Sequence, residues 1–172
     1  MPANVTFILG GAASGKSAFA EQLCANAGKD KVYWATAQVF DAEMREKVSR
    51  HLKQRGEGWT TVEEPETAAH VLAPLFSDQV CLMDCATMWL SNHFLAEHDL
   101  DAATEELLSA IGRCQADVVI VSNETGLGIV PENKLARRFR EAQGRLNIAL
   151  AARADTVVQV TAGLPLVLKG VL

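Results

Sequence analysis

Gly10-Gly11-Ala12-Ala13-Ser14-Gly15-Lys16-Ser17 follows directly on the apolar run Val5-Thr6-Phe7-Ile8-Leu9, and the passage from one to the other decides which fold to expect. The pattern is G-x-x-x-x-G-K-[S/T] with every fixed position filled. Glycines and small residues let consecutive backbone N–H groups turn inward onto a phosphate, and a helix starting near Gly15 adds the positive end of its dipole. Lys16 is placed to reach the β- and γ-phosphates, and Ser17 to offer a hydroxyl to Mg²⁺. Gly10, Gly11, Ala12, Ala13, Ser14, Gly15, Lys16 and Ser17 are therefore expected to cradle a nucleoside triphosphate. A glycine-rich turn with an incidental lysine is the bland alternative; a complete pattern between strand and helix argues against it.

Working outward, strand-like runs recur at Val5–Leu9, Val32–Ala37, Trp59–Val62, Val80–Cys85, Val118–Asn123, Thr156–Val160 and, more weakly, Leu166–Lys169. Helical segments separate them, so an α/β sheet, mostly parallel, is expected. The continuous apolar character of Val80–Met83 and Val118–Val121 suits central strands covered on both faces. The last strand, after Gly163 and Pro165, reads as an antiparallel edge. Helices are expected from Ser17 to Asn26 with Gly28 as terminator, from Ala42 to Gln54 capped by Asp41, from Asp84 toward Ala96, and over Asp101–Arg113. The longest is expected to start at Pro131 and to bury Leu135, Phe139, Ala142, Leu146 and Ala149 along one stripe.

A chain of 172 residues fits one domain over residues 1–172, long enough to bury roughly two thirds of its unfolded surface. The net charge of −5 opposes general affinity for nucleic acid or anionic membranes. Two basic islands offer local anion sites: Arg45, Lys47, Arg50, Lys53 and Arg55, then Lys134, Arg137, Arg138, Arg140 and Arg145. Solvated helix faces account equally well for most of them. Cys24, Cys81, Cys85 and Cys114 lack C-x-x-C spacing and read as reduced and structural. With no leader pattern and no apolar run of about 18 residues, a soluble cytoplasmic protein is expected.

Three further signals carry chemistry. Asp84 ends a buried strand, where the Mg²⁺-associated acid of phosphate-loop proteins sits; capping the next helix is the competing reading. Asn123-Glu124-Thr125-Gly126-Leu127-Gly128 follows another strand end, and in open α/β sheets ligands bind beyond those ends. Asp84 and Glu124 could thus face the same metal and phosphates, or Glu124 could be a loop residue only. His51 lies at the edge of a stripe of Met44, Val48 and Leu52, with Lys47 nearby, in cationic surroundings that favour a neutral imidazole and attract phosphate. On spacing alone the structural reading of His51 wins, since a lone histidine bordering an apolar stripe usually packs.

Together these segments resemble, in order, the bifunctional adenosylcobinamide kinase/adenosylcobinamide-phosphate guanylyltransferase family. The resemblance runs through the Gly-Gly-Ala-x-Ser-Gly-Lys-Ser loop and the stretch from Glu43-Met44 through His51 to Trp59-Thr60 and Glu63-x-Pro65. It continues with Asp84-Cys85-x-Thr87-x-Trp89-Leu90, Asn123-Glu124-x-Gly126-x-Gly128-x-Val130-Pro131-x-Asn133 and Gly144-x-x-Asn147. Only the phosphate loop is generic; the ordered set is specific. Ala13 stands where members often carry arginine, and Ile148 where glutamine commonly follows the asparagine.

The resemblance implies a RecA-like P-loop sheet with helices on both faces, a trimer, Mg²⁺, and ATP and GTP as substrates. It implies phosphorylation of adenosylcobinamide, then transfer of GMP from GTP, through a covalent guanylyl-histidine matching His51, to adenosylcobinamide phosphate. Lys16 would stabilise triphosphate charge, Ser17 and Asp84 would hold Mg²⁺, and Glu124 would be a metal-shell carboxylate or a base. Lys47, Arg50 and Arg55 would bind the leaving pyrophosphate. A regulatory GTPase is disfavoured, because Asn133-Lys134-Leu135-Ala136 lacks the aspartate of its guanine-reading segment. A small-molecule kinase without nucleotidyl transfer is the stronger rival, and it leaves His51 without a task.

Overall fold

The computed structural model describes residues 3–38 and 40–172, apart from the side chains of Lys47, His51 and Gln54. Seven strands and six helices are assigned within it: β1 (Val5–Gly10), α1 (Lys16–Asn26), β2 (Asp30–Ala35), α2 (Ala42–Gln54), β3 (Trp59–Glu63), α3 (Ala68–Leu72), β4 (Gln79–Asp84), α4 (Ala86–Leu95), α5 (Leu100–Arg113), β5 (Asp117–Asn123), α6 (Lys134–Arg153), β6 (Thr156–Thr161) and β7 (Leu164–Lys169). The strands form one sheet in the order β3-β2-β4-β5-β1-β6-β7. All neighbours are parallel except β6 and β7, which form the expected antiparallel edge.

Alternation along each strand divides the core between two faces. Phe7, Met83, Val118 and Ile120 point to the side covered by α3, α4, α5 and α6, whereas Ile8, Leu82, Val119 and Val121 point to the side covered by α1. Val118 to Val121 are all buried, so this run has no solvent face and forms a central strand. Register then brings functional ends together: Gly10 pairs with Asn123, and Asp84 with Val121. The C-terminal ends of β1, β4 and β5 share one edge.

Local chemistry explains several element boundaries. Gly28, at φ 66°, follows α1 in the left-handed conformation that stops a helix. The Asp41 carboxylate accepts the Met44 amide at 2.8 Å, as expected of a cap. Trp34 and Trp89 are fully buried and donate their indole N–H groups to the carbonyls of Glu64 and Glu66, which makes them core residues. The short helix α3 was not anticipated from sequence; its five residues are too few to show a period.

Two helix expectations are corrected. The longest helix begins at Lys134, not Pro131, because the Asn133 side chain accepts the Ala136 amide at 3.1 Å and caps it there. Its buried set is Ala142, Gln143, Leu146, Asn147 and Leu150; Leu135 is exposed. In α2, Leu52 is exposed, and neither Met44 nor Val48 joins a core cluster. The apolar side of that helix serves another purpose, described next.

Candidate active site

The phosphate loop leaves β1 at Gly10 and enters α1 at Lys16. The Ser14 amide donates to the Gly11 carbonyl at 3.3 Å and the Phe19 amide to the Gly15 carbonyl at 3.0 Å, which closes the turn and starts the helix. Gly15 adopts φ 91°, and a Cβ there would stand 3.0 Å from the Cα of Gly163. From the other side, the Gly163 amide donates to the Ser14 carbonyl at 2.7 Å, so the β6–β7 turn braces the loop. Lys16 is buried, and its ammonium donates to the Gly11 carbonyl at 2.9 Å within the loop it serves.

Gly10 has no room for a side chain. A Cβ there would collide with Ser14 Oγ and lie 2.8 Å from the Val160 carbonyl oxygen. Because the second obstacle is backbone of a neighbouring strand, relaxation is limited. Gly10→Ala is expected to cost about 1–3 kcal/mol of stability, read as a lower urea midpoint, and to weaken nucleotide binding by displacing the loop.

Beyond the loop lies a cavity of about 370 Å³ lined by Lys16, Ser17, Tyr33, Ala35, Ala37, Met44, Val48, Arg55, Thr61, Asp84, Cys85, Met88 and Asn123. Met44 and Val48 therefore face this cavity, and α2 forms one of its walls. Position 51 follows Val48 by three residues and Met44 by seven, the spacing of one helix face. The side chains of His51 and Lys47 lie outside the described residues. Arg50 is exposed on the same helix. Arg55 reaches the cavity, where its guanidinium stacks 3.2 Å from the centroid of the Tyr33 ring.

Asp84 does not cap the following helix. That cap is Cys85, whose Sγ accepts the Met88 amide at 3.4 Å, which leaves the Asp84 carboxylate at the cavity. Burial, then the adjacent Asp84 charge and hydrogen bond, hold the Tyr33 hydroxyl far above the usual phenol range. Thr36 ties the floor together: its hydroxyl donates to the Cys85 carbonyl at 2.8 Å and accepts the Cys85 amide at 2.9 Å. Asn123 lines the cavity with its amide donating to Thr87 Oγ1 at 2.9 Å. The Glu124 amide donates to the Gly10 carbonyl at 2.9 Å, but its carboxylate turns back to accept the Gly126 amide at 2.6 Å.

Cys85 is a candidate nucleophile in the cavity lining. Burial and the Asp84 charge push its thiol up to about 11, against the pull of the Met88 and Thr87 amides and of Lys16. It is protonated at neutral pH and does not compete as a covalent nucleophile. Burial likewise raises Cys24 to about 12. A thiol pKa higher in the folded state than the ordinary 9.0 gives stability that is complete below about pH 9 and lost as pH rises toward 11–12. Urea midpoints are expected to hold from pH 7 to 9 and fall above it, with a shallower fall in Cys24→Ala.

The family model for cobinamide kinase / cobinamide phosphate guanyltransferase matches residues 6–168. This chain belongs to that family. It is 43% identical to the bifunctional adenosylcobalamin biosynthesis protein CobP of Pseudomonas aeruginosa, over 95% of this chain and 96% of that protein. Identity to the bifunctional adenosylcobalamin biosynthesis protein CobU of Salmonella typhimurium is 38%, over 94% of this chain and 98% of that one. Among solved structures, the RadB recombinase superposes with TM-score 0.54 at 18% identity, covering 92% of this chain and 74% of that one. This likeness concerns the fold alone, a mostly parallel α/β sheet of RecA-like form.

As a member of the cobinamide kinase/guanyltransferase family the chain is a nucleotide-using enzyme of cobalamin biosynthesis. The structure gathers Lys16, Ser17, Asp84 and Arg55 at one cavity and sets Arg50 and the Glu124 carboxylate outside its lining. Sequence reading missed Tyr33, Met88 and the Ala162–Gly163 turn. Tyr33 carried no separable signal, since it is one apolar residue in a strand and reaches the site only because β2 lies beside β4. Two residues of the second basic island are structural in use: Arg137 donates to the Pro131 and Glu132 carbonyls, and Arg140 to those of Gly126 and Ile129. Among the described residues, no helix is long and apolar enough to cross a membrane.

Proposed function

We propose that one domain carries out two successive transfers at this cavity: phosphorylation of adenosylcobinamide by ATP or GTP, then guanylylation of adenosylcobinamide phosphate through a covalent guanylyl-histidine at His51. The observation that carries the reading is the single cavity in which the phosphate loop, Asp84, Arg55 and the Met44–Val48 side of α2 meet. A nucleophile on α2 then stands opposite the triphosphate that Lys16 holds.

Ser17 and Asp84 supply a hydroxyl and a carboxylate at the same cavity, hard oxygen donors suited to Mg²⁺ shared with phosphates and water. When bound, the ion would neutralise charge on the triphosphate. Lys16 and the loop amides stabilise negative charge on the transferred group. Glu124, freed from Gly126, serves as metal-shell carboxylate or as base for the substrate hydroxyl.

In the second reaction a ring nitrogen of His51 attacks the α-phosphorus of GTP. The N–P bond forms as the bond to the bridging oxygen breaks, and pyrophosphate leaves toward Arg55 at the cavity and Lys47, with Arg50 on the exposed side of α2 taking a part only if that helix shifts. The ring proton goes to solvent or a nearby base. A phosphate oxygen of the corrinoid then attacks the same phosphorus, the N–P bond breaks, and adenosylcobinamide-GDP is released. A cytoplasmic homotrimer completes the reading and is supported by the family resemblance; light scattering tests the assembly. Intact-mass spectrometry after incubation with GTP and Mg²⁺ tests the chemistry. An acid-labile adduct with the mass of a GMP moiety is expected, whereas a kinase without nucleotidyl transfer gives none.

A further inference from the structure

α6 is the longest helix. Its Asn147 accepts from Ser122 Oγ at 2.7 Å and donates to the Asn123 carbonyl at 3.4 Å, at the C-terminal end of β5. The helix begins thirteen residues earlier, at Lys134, and its other end feeds β6 at the opposite edge. At 1.5 Å per residue the helix runs about 20 Å from Lys134 to this anchor, and its early turns pack beside Phe94 of α4.

Segment 124–133 joins β5 to this helix and is fixed in shape. Arg140 donates to the carbonyls of Gly126 and Ile129, Arg137 to those of Pro131 and Glu132, and Asn133 caps α6. Held by these bonds, the loop turns its apolar side chains outward: Leu127 is 78% exposed, Ile129 95% and Val130 64%. Three neighbouring aliphatic residues left in water on a stapled loop mark a contact surface with little ordering cost still to be met.

The kind of contact follows from chemistry and place, and rests on the cobinamide kinase reading. The phosphoryl acceptor is a corrinoid, a macrocycle larger than the nucleotide, and it cannot share a cavity of about 370 Å³ with a triphosphate. Its hydroxyl must reach the phosphates at the cavity while its ring lies outside, on the same sheet edge. The loop departs from Asn123, which lines that cavity, and the Glu124 amide is bonded to Gly10 of the phosphate loop. We propose that Leu127, Ile129 and Val130 form the platform on which the apolar body of the corrin ring rests, aligning its side-chain hydroxyl with the triphosphate.

The test uses the full chain, adenosylcobinamide and a saturating phosphate donor, with Ile129→Asp and the milder Leu127→Ser. Both positions are exposed, so folding is retained. The KM for adenosylcobinamide is expected to rise at least tenfold in Ile129→Asp and severalfold in Leu127→Ser. The kcat, the KM for GTP, the yield of guanylyl adduct and the light-scattering mass are expected to stay as in wild type. An unchanged corrinoid KM alongside an active wild-type kinase overturns the platform and leaves the family activity standing. A drop in assembly mass in the variants also overturns it, because the patch is then covered by a second copy. Wild-type protein that does not phosphorylate adenosylcobinamide removes the activity reading itself, and the platform with it.

Discussion

Lys16→Ala is expected to lower both the kinase rate and the yield of guanylyl adduct by about 10²–10³-fold, the size of effect seen when a preorganised donor to developing charge is lost. Lys16 is buried and its ammonium is bonded to the Gly11 carbonyl at 2.9 Å, so it is held within the loop before any ligand arrives. Exchanging that carbonyl for phosphate oxygens needs a change of side-chain rotamer and no movement of backbone. Lys16→Arg is expected to restore little, because the planar guanidinium is bulkier than the space left by a buried lysine and presents its donors in a fixed fork. Single-turnover rates with GTP and with adenosylcobinamide measure the effect. A unit change in one reaction with no change in the other would break the assignment of a shared triphosphate site. Thermal melting should show the variant folded, since the side chain gives up one hydrogen bond to a loop carbonyl.

His51→Ala separates the two reactions. The adduct and the transfer of GMP are expected to fall below detection, at least about 10⁴-fold for loss of a covalent nucleophile. Phosphorylation of adenosylcobinamide is expected to stay within severalfold, because Lys16, Ser17 and Asp84, the groups proposed to act on the γ-phosphate, are carried by other elements. The physical basis is the orientation of α2. Met44 and Val48 line the cavity, and position 51 continues the same helical face. Parallel loss of both activities would make His51 a residue that holds the helix in place. Retention of the adduct would assign the nucleophile elsewhere, and Cys85 is a poor substitute with its thiol held near 11.

How much of this was legible beforehand depends on the range of the interactions involved. The phosphate loop was readable because its chemistry lies in eight consecutive residues: glycine conformations, inward amides and one lysine are local properties of the chain. Most strands were readable because burial on both faces leaves no polar residue in a run such as Val118–Val121. Asp41 and Gly28 marked helix ends by bonding or conformation within a few residues. The ordered motifs were enough to place the chain in its family.

Other features were settled only in three dimensions. Asp84 was open between cap and cavity residue until Cys85 took the cap. The apolar residues of α2 read as core from their spacing, since periodicity reports a buried face without saying what lies against it. In the fold that face looks onto the cavity. Leu135 read as part of a buried stripe for the same reason, yet it is half exposed and borders only a shallow surface pocket with Phe94 and Leu100. Tyr33 and the Ala162–Gly163 turn enter the site through strand order alone, which places β2 beside β4 and β6 beside β1. By itself, then, the sequence determined what each segment is, because caps, turns and hydrophobic periods act over a few residues. Tertiary structure decided which segments meet, because strand pairing and helix packing join residues far apart in the chain.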